Sequence, residues 1–354
     1  MHRLALSVAL AASLPCFAGC GSDPDDTDSG AEGTTGGGTT VGETGAETVA
    51  ADSSGAGETD AVDTTAAGEE ESSGDTGPGV ECQLSDGENL IDVNGQMRTV
   101  FLDLPSNIED GGPWPVVFNW HGLGDSAGNF RQLVAPYVDD PEFPFIGVTP
   151  EDTDFALMLP GIGTLPLDWE VFMVDEANAE LALFDATLAC LDSQYGVDAD
   201  RVHTMGFSLG SILSDLIGSM RGDVIASIAT YSGGYWNNPN SDLGFVALAV
   251  SWPDHPHDVP YPQLFLHGGE TDTFEVSIAA LSFSDFANAD AAWFVDNGHP
   301  TFLCDHGGGH TAPPAAMGPE QLLQFFADHP RGVESPYVGA VPEAWPDYCQ
   351  HVTE

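Results

Sequence analysis

The sequence predicts an α/β fold, a mostly parallel sheet with helices on both faces, preceded by a disordered tether. Strand-like apolar runs alternate with stretches of helical periodicity between residues 98 and 266, which favours parallel strands joined by helices. Two of these runs lead into glycine-containing turns, H-G-L-G at 121–124 and G-F-S-L-G at 206–210. Residues 81–354 are long enough to bury one sizeable core, and we expect them to form one domain.

The first 20 residues have the features of a bacterial lipoprotein signal peptide. Arg3 supplies the positive charge, residues 4–14 are apolar but too short to span a bilayer, and F-A-G-C at 17–20 resembles a lipobox. We expect residues 1–19 to be removed and Cys20 to carry lipid. The protein would then be anchored to the cell envelope or surface, with membrane contact only through that lipid. The alternative is plain secretion after cleavage near Ala18.

Residues 20–80 have the composition of a disordered tether. From residue 21 to 79 the chain is rich in Gly, Thr, Ser, Ala, Asp and Glu and has no aromatic residue, so it lacks the apolar surface needed to form a core. This stretch holds 15 acidic residues and no basic one. The acidic run at 23–28 lacks the ligand spacing of a calcium loop, which favours a solvated linker.

The charge of the chain excludes some partners. Its 56 acidic and 6 basic residues give a formal charge of −50, and no lysine is present. Such a surface repels nucleic acid and anionic lipid, and it is typical of proteins adapted to salt. We expect a monomer that binds no nucleic acid.

Four cysteines remain once Cys16 and Cys20 are set aside. An even number in an exported chain predicts two disulfides, and their connectivity stays open. The candidates are Cys82, Cys190, Cys304 and Cys349. Their spacing does not suggest a zinc site.

The predicted elements follow one another along the chain. In order they are an edge strand (98–104), a buried strand (116–120), a helix (129–138), a strand (145–148), a long amphipathic helix (176–195), a strand (201–205), a helix (211–217) and two strands (224–230 and 263–266).

The G-F-S-L-G motif lies between a predicted strand and a predicted helix. In that context the motif predicts a nucleophile elbow, in which glycines permit a sharp turn and Ser208 projects from the top of the sheet. H-G-L-G at 121–124 also follows a strand, and such a loop brings backbone N–H groups close to a developing oxyanion. We expect the amides of Leu123 and Leu209 to form an oxyanion hole, with His121 structural rather than the base.

Two later loops supply candidates for the acid and the base. L-H-G-G-E-T-D at 266–272 runs from a strand into a loop and offers Asp272, with Glu270 second. G-G-G-H-T at 307–311 places His310 on a flexible loop, with His306 as its rival. The order Ser208, Asp272, His310 is the order known for hydrolases with a nucleophile elbow.

Residues from about 82 to 350 resemble the secreted polyhydroxybutyrate depolymerase and feruloyl esterase group of α/β-hydrolases, related to the family-one carbohydrate esterases. The motifs V-V-F-N-W-H-G-L-G, V-D-A-D-R-V-H-T-M-G-F-S-L-G, L-H-G-G-E-T-D and G-G-G-H-T carry this resemblance. It implies an extracellular serine esterase that forms an acyl-enzyme on Ser208, with Asp272 and His310 completing the triad. We expect no cofactor and no metal. The ester could be of polyhydroxyalkanoate, feruloyl or acetyl-sugar type.

The chain departs from this group at three positions. Ser211 stands where a second glycine is frequent, Ala312 where a tryptophan follows H-T, and Thr271 where the acid usually lies, so that Asp272 comes one residue late. Nothing resembles a polymer-binding domain, which speaks against insoluble polyester as the substrate.

Three aromatic residues are candidates either for the wall of a substrate pocket or for packing in the core: Trp169, Tyr235 and Trp236. The stretch W-P-D-H-P-H-D at 252–258 could bind a metal, but its prolines favour a rigid surface loop. Two other functions remain open, a catalytically inactive tethered binding lipoprotein and a serine peptidase on the same fold.

Overall fold

A computed structural model describes residues 82–153, 155–159, 163–173, 175–234, 260–276, 279–311 and 317–354. All of them belong to the unit Asp75–Glu354. The signal peptide with Cys20, the tether, Ala312, Tyr235, Trp236 and the 252–258 stretch lie outside the described residues. No helix within the described ranges is both long enough and apolar enough to cross a membrane.

The described residues form a nine-stranded central sheet and two separate hairpins. The strands, numbered along the chain, are β1 (Gly87–Val93), β2 (Gln96–Asp103), β3 (Trp114–Trp120), β4 (Ile146–Pro150), β5 (Ala156–Leu159), β6 (Gly163–Pro166), β7 (Val197–Phe207), β8 (Ser227–Tyr231), β9 (Gln263–His267), β10 (Thr273–Val276), β11 (Ala279–Ser282), β12 (Thr301–Asp305) and β13 (Cys349–Val352). The central sheet has the order β1-β2-β4-β3-β7-β8-β9-β12-β13, while β5 pairs with β6 and β10 with β11.

Six adjacent strands, from β4 to β12 in the sheet order, run parallel. The strands at the two edges pair antiparallel. The predicted mostly parallel sheet is therefore confirmed. The prediction that residues 98–104 form an edge strand is wrong, because β1 pairs along the outer side of β2. The sequence analysis missed β1, in which exposed residues alternate with buried ones.

Five α-helices cover the described part of the sheet: α1 (Ala127–Phe130), α2 (Ala179–Tyr195), α3 (Leu209–Arg221), α4 (Phe283–Asp296) and α5 (Pro319–Asp328). All seven residues of β3 are buried, because its side chains enter a core on each face. Phe118 packs in the core that includes Phe184 of α2. Val117 packs in the opposite core with Phe326 of α5.

Two predicted helices have different bounds in the structure. The segment predicted as helix 129–138 consists of α1 and two 3-10 turns, Arg131–Leu133 and Ala135–Tyr137. Pro136 lacks an N–H group, which prevents a continuous α-helix there. The helix predicted from residue 176 begins at Ala179, because the Asn178 side chain accepts hydrogen bonds from the amides of Glu180 and Leu181 and so caps it.

Two disulfides join distant parts of the described chain. Cys82 pairs with Cys190 of α2, across 108 residues of sequence. Cys304 of β12 pairs with Cys349, which lies directly opposite it on β13. The two disulfides expected from the cysteine count are therefore present, and the structure selects one of the three possible connectivities.

Asp215 of α3 is a carboxyl group in the core. It is fully buried and accepts a hydrogen bond of 3.1 Å from the Gln263 side chain. Burial and the neighbouring Asp290 raise the pKa of Asp215 well above its ordinary value, and the hydrogen bond from Gln263 offsets only part of this.

Candidate active site

Ser208 occupies the sharp turn between β7 and α3. Its backbone has φ 54° and ψ −117°, a strained conformation for a residue with a side chain. A Cβ atom at Gly210 would lie 2.5 Å from the His121 carbonyl oxygen, and one at Gly206 would lie 2.6 Å from the Ser211 amide nitrogen. Both flanking positions therefore require glycine.

Ser211 has a specific role where the related group often has glycine. Its Oγ accepts a hydrogen bond of 2.8 Å from the Tyr231 amide and also lies against the Gly206 carbonyl oxygen. A Cβ atom at Gly233 would lie 2.5 Å from the Ser211 Cβ. The serine thus joins the end of β8 to the elbow, and the absence of a side chain at position 233 makes room for it.

The side chains of Ser208, His310 and Asp272 form one hydrogen-bonded chain. His310 Nε2 lies 3.0 Å from Ser208 Oγ, and His310 Nδ1 lies 2.8 Å from Asp272 Oδ1. The carboxylate accepts from Nδ1–H, which leaves Nε2 to accept the serine proton. This is the geometry of a nucleophile, a base and an acid that orients the base.

Asp272 is completely buried, and three donors satisfy its carboxylate. Besides His310, it accepts 2.8 Å hydrogen bonds from the Ser232 hydroxyl and the Gly268 amide, both at Oδ2. Burial by itself raises the pKa of Asp272, but the hydrogen bonds from His310, Gly268 and Ser232 outweigh burial and lower it. The acid therefore stays ionised. Ser232 was missed from sequence, although it follows the end of β8 at the same edge of the sheet.

The structure distinguishes Asp272 from Glu270 as the acid and His310 from His306 as the base. Asp272 is fully buried beside His310, whereas Glu270 is exposed. A 3-10 turn, Gly269–Thr271, directly precedes Asp272, where this chain has one residue more before the acid than the related group. The Nδ1 atom of His306 accepts from the Gly308 amide within its own loop. Only His310 of the two histidines contacts Ser208.

The acid loop and the base loop contact each other through their backbones. The Gly309 amide donates a 2.8 Å hydrogen bond to the Gly268 carbonyl. A Cβ atom at Gly268 would lie 2.5 Å from backbone atoms of Gly309, so the approach requires glycine.

Aromatic rings hold the His310 imidazole on two sides. Phe283, the first residue of α4, stacks on it with ring centres 4.6 Å apart, and Phe207 lies 4.8 Å away. Phe274 of the β10–β11 hairpin lies 6.0 Å from the imidazole and is 36% exposed. These contacts were not predicted, because Phe283 and Phe274 follow Asp272 in a segment with no recognised motif.

The H-G-L-G loop lies directly against the elbow. A Cβ atom at Gly122 would lie 2.9 Å from the Phe207 ring and 3.4 Å from the Ser208 Cβ. Leu209 is the first residue of α3, so its amide has no acceptor within the helix. The H-G-L-G loop and the first residue of α3 therefore both lie next to Ser208.

Comparison with known proteins places this site in context. No family sequence profile matches the chain. Feruloyl esterase D of Neurospora crassa is 26% identical over 145 residues, which cover 40% of this chain and 47% of that protein. The chain thus matches about half the length of this curated relative.

Two solved structures extend the similarity over most of the chain. Native pOPH superposes with a TM-score of 0.59 and 16% identity, covering 77% of this chain and 95% of its own. Native sOPH gives a TM-score of 0.59 and 15% identity, covering 75% and 94%. The fold is that of the α/β-hydrolases. The resemblance to feruloyl esterases predicted from the motifs is also confirmed.

The candidate residues follow three strands that end at the same edge of the sheet. Ser208 follows β7, Asp272 follows β9 and His310 follows β12. Parallel neighbouring strands bring these loops together although more than 100 residues separate the serine from the histidine. The chain order is the one common to the fold.

Trp169 does not line a pocket, which corrects the sequence prediction. It is fully buried, packs edge-on against Trp120 at 5.3 Å and donates a 2.9 Å hydrogen bond to the His121 carbonyl. Its ring supports the H-G-L-G loop from the core side. Periodicity alone did not distinguish a buried support from a pocket wall, because this segment has no regular secondary structure.

Proposed function

We propose that this protein is a serine hydrolase that cleaves carboxylic esters. Ser208 is the nucleophile, His310 the general base and Asp272 the acid that orients the base. The hydrogen-bonded chain through these three side chains is the observation that carries the proposal. The feruloyl esterase relative supports ester as the bond that is cleaved.

The proposed reaction has two steps, acylation and then deacylation of Ser208. His310 Nε2 takes the proton of Ser208 while Oγ attacks the ester carbonyl, and the protonated imidazole then gives that proton to the leaving alcohol. Water adds to the acyl-enzyme with the same base, which releases the carboxylic acid and restores Ser208. The amides of Leu123 and Leu209 stabilise the oxyanion in both tetrahedral intermediates.

Labelling and turnover test this function. Wild-type protein should react with a fluorophosphonate probe and hydrolyse p-nitrophenyl acetate, and Ser208→Ala should lose both activities while keeping the same melting temperature. Ser126→Ala is the matched control, because Ser126 caps α1 and has no contact with the triad. An unlabelled wild-type protein would favour the inactive binding lipoprotein.

A substrate panel tests the class of ester. We propose a feruloyl, acetyl-sugar or hydroxyalkanoate ester, and matched amides in the same panel test the serine peptidase alternative. Exposed Phe274 beside His310 offers an apolar surface to the acyl or alcohol group. A higher kcat/KM for amides than for esters would overturn the ester assignment.

We further propose that the protein is exported, lipidated on Cys20 and monomeric. The signal sequence and the two disulfides support export. Cys20→Ala should move the protein from the membrane fraction to the soluble fraction. Wild-type protein that is soluble after cleavage near Ala18 would instead indicate plain secretion.

A further inference from the structure

A second group of ionisable side chains lies beside the H-G-L-G loop. His121 follows β3, Asp152 follows β4, and Asp168 precedes the buried Trp169. One ligand atom from each of the three residues lies within 4.8 Å of the others. Glu151 Oε1 lies 3.9 Å from His121 Nε2, and Asp168 Oδ2 lies 3.9 Å from the other ring nitrogen, Nδ1.

The imidazole of His121 has a buried nitrogen atom without a hydrogen-bond partner. The residue is fully buried, and its Nδ1 lies 3.0 Å from the Gly122 carbonyl oxygen, to which it can only donate. Nε2 has no hydrogen-bond partner and faces Asp152 Oδ2 at 3.5 Å. In the neutral tautomer a nitrogen lone pair would therefore point at carboxylate oxygens. That arrangement is repulsive unless a cation lies between them.

The arginine side chains of the described residues are engaged elsewhere. All five pair with other carboxylates, and the chain contains no lysine. Asp152, Asp168 and Glu151 place three carboxyl groups around one imidazole. A divalent cation would offset part of their negative charge.

The donor set indicates which cation would fit. Two ligands about 2.1 Å from a tetrahedral ion lie about 3.4 Å apart, which matches the 3.5 Å between His121 Nε2 and Asp152 Oδ2. One imidazole with carboxylates is a ligand set for Zn²⁺ or Mn²⁺, whereas Ca²⁺ takes oxygen ligands.

We propose that His121 Nε2, Asp152 and Asp168 bind one divalent transition-metal ion beside the H-G-L-G loop, with Glu151 as the nearest fourth ligand. Asp168 also accepts a 2.6 Å hydrogen bond from the Gly124 amide, so the ion would fix both ends of the loop. Three loops that leave separate parts of the chain would then be joined at one point. The binding site does not depend on the proposed esterase activity.

The test is metal binding to the full-length protein after treatment with EDTA. Isothermal titration should show one Zn²⁺ site per chain, and a 100-fold excess of Zn²⁺ over its Kd should raise Tm by about 5 °C or more. Co²⁺ should give the visible absorption of a four-coordinate ion. Asp152→Asn and Asp168→Asn should each lower the affinity at least tenfold.

Glu320→Gln is the matched control, because it removes one exposed acid of α5 outside the cluster. It should bind Zn²⁺ like the wild type. In EDTA, Asp152→Asn should melt no lower than wild type, because removing one of several like charges relieves repulsion. If wild type binds no Zn²⁺, or if both cluster variants bind it unchanged, the proposal is wrong. An EDTA Tm lowered by Asp152→Asn, with no Zn²⁺ effect in wild type, would show that Asp152 stabilises the loop without a metal ion and would also overturn the proposal.

Discussion

Replacing Asp272 by asparagine reverses the hydrogen-bond polarity of the triad without changing its shape. In the native protein the carboxylate accepts from three donors: His310 Nδ1, the Ser232 hydroxyl and the Gly268 amide. Asparagine has one acceptor oxygen and one donor NH₂ group. The Gly268 amide is a fixed backbone donor at the Oδ2 position, so the asparagine oxygen must face it and the NH₂ group must face His310.

This orientation forces the imidazole into the wrong tautomer. Turning the amide around would leave buried donors facing each other, at a cost of about 1–3 kcal/mol for each unsatisfied group. With NH₂ facing Nδ1, the ring proton moves to Nε2, which then donates to Ser208 instead of accepting its proton. The equivalent change in other serine hydrolases lowers kcat about 10⁴-fold, or about 5.5 kcal/mol of transition-state stabilisation.

The assay is kcat on p-nitrophenyl acetate at pH 8, with Tm measured in parallel. Glu270→Gln is the matched control, since Glu270 lies two residues earlier on the same loop and is exposed. We expect Asp272→Asn to lose about 10⁴-fold in kcat, and Glu270→Gln to stay within about twofold of wild type. A folded Asp272→Asn protein with kcat within tenfold of wild type would refute the reasoning.

Three further changes test the glycine after Ser208, one disulfide and the buried acid of α3. Gly210→Ala should destabilise the domain by about 3 kcal/mol in urea unfolding, because its Cβ would lie 2.5 Å from a carbonyl oxygen just after β3, while Gly128→Ala, in open space, should not. Replacing Cys304 and Cys349 by alanine removes a cross-link over 45 residues and should cost about 4 kcal/mol in urea unfolding, with a higher m-value because the unfolded chain expands. The pKa of Asp215 is raised in the folded state. The free energy of unfolding of the wild type should therefore fall as pH rises from the ordinary carboxyl pKa toward the raised one, by up to about 1.4 kcal/mol per pH unit. Asp215→Asn should flatten that slope, and an unchanged slope would contradict the raised pKa.

The sequence predicted the parts of the site that depend on local geometry. The turn around Ser208 needs glycine on both sides for steric reasons, and that requirement is visible as G-F-S-L-G. The strands before Ser208 and Asp272 were predicted from their apolar runs, whereas β12, before His310, was not predicted. Asp272 was chosen from its strand context, His310 from its glycine-rich loop, and both from the chain order known for hydrolases with a nucleophile elbow.

The parts that sequence could not give depend on contacts between distant segments. Ser232 contacts Asp272 only because β8 and β9 are neighbours, and Phe283 stacks on His310 only because α4 begins beside the acid loop. A tryptophan outside regular secondary structure, such as Trp169, looks the same in the sequence whether it supports a loop or lines a cavity. The prediction that β2 is an edge strand was wrong because β1 was missed. Exposed acidic residues of β1 interrupt its apolar pattern.

The backbone contact between Gly268 and Gly309 makes the acid and the base one mechanical unit. Exchanging only one of these loops with that of a relative would introduce a side chain or a shift where no space exists. Engineering of this scaffold would therefore have to transplant both loops together, whereas sequence changes can accumulate elsewhere, as in the β10–β11 hairpin that carries Phe274.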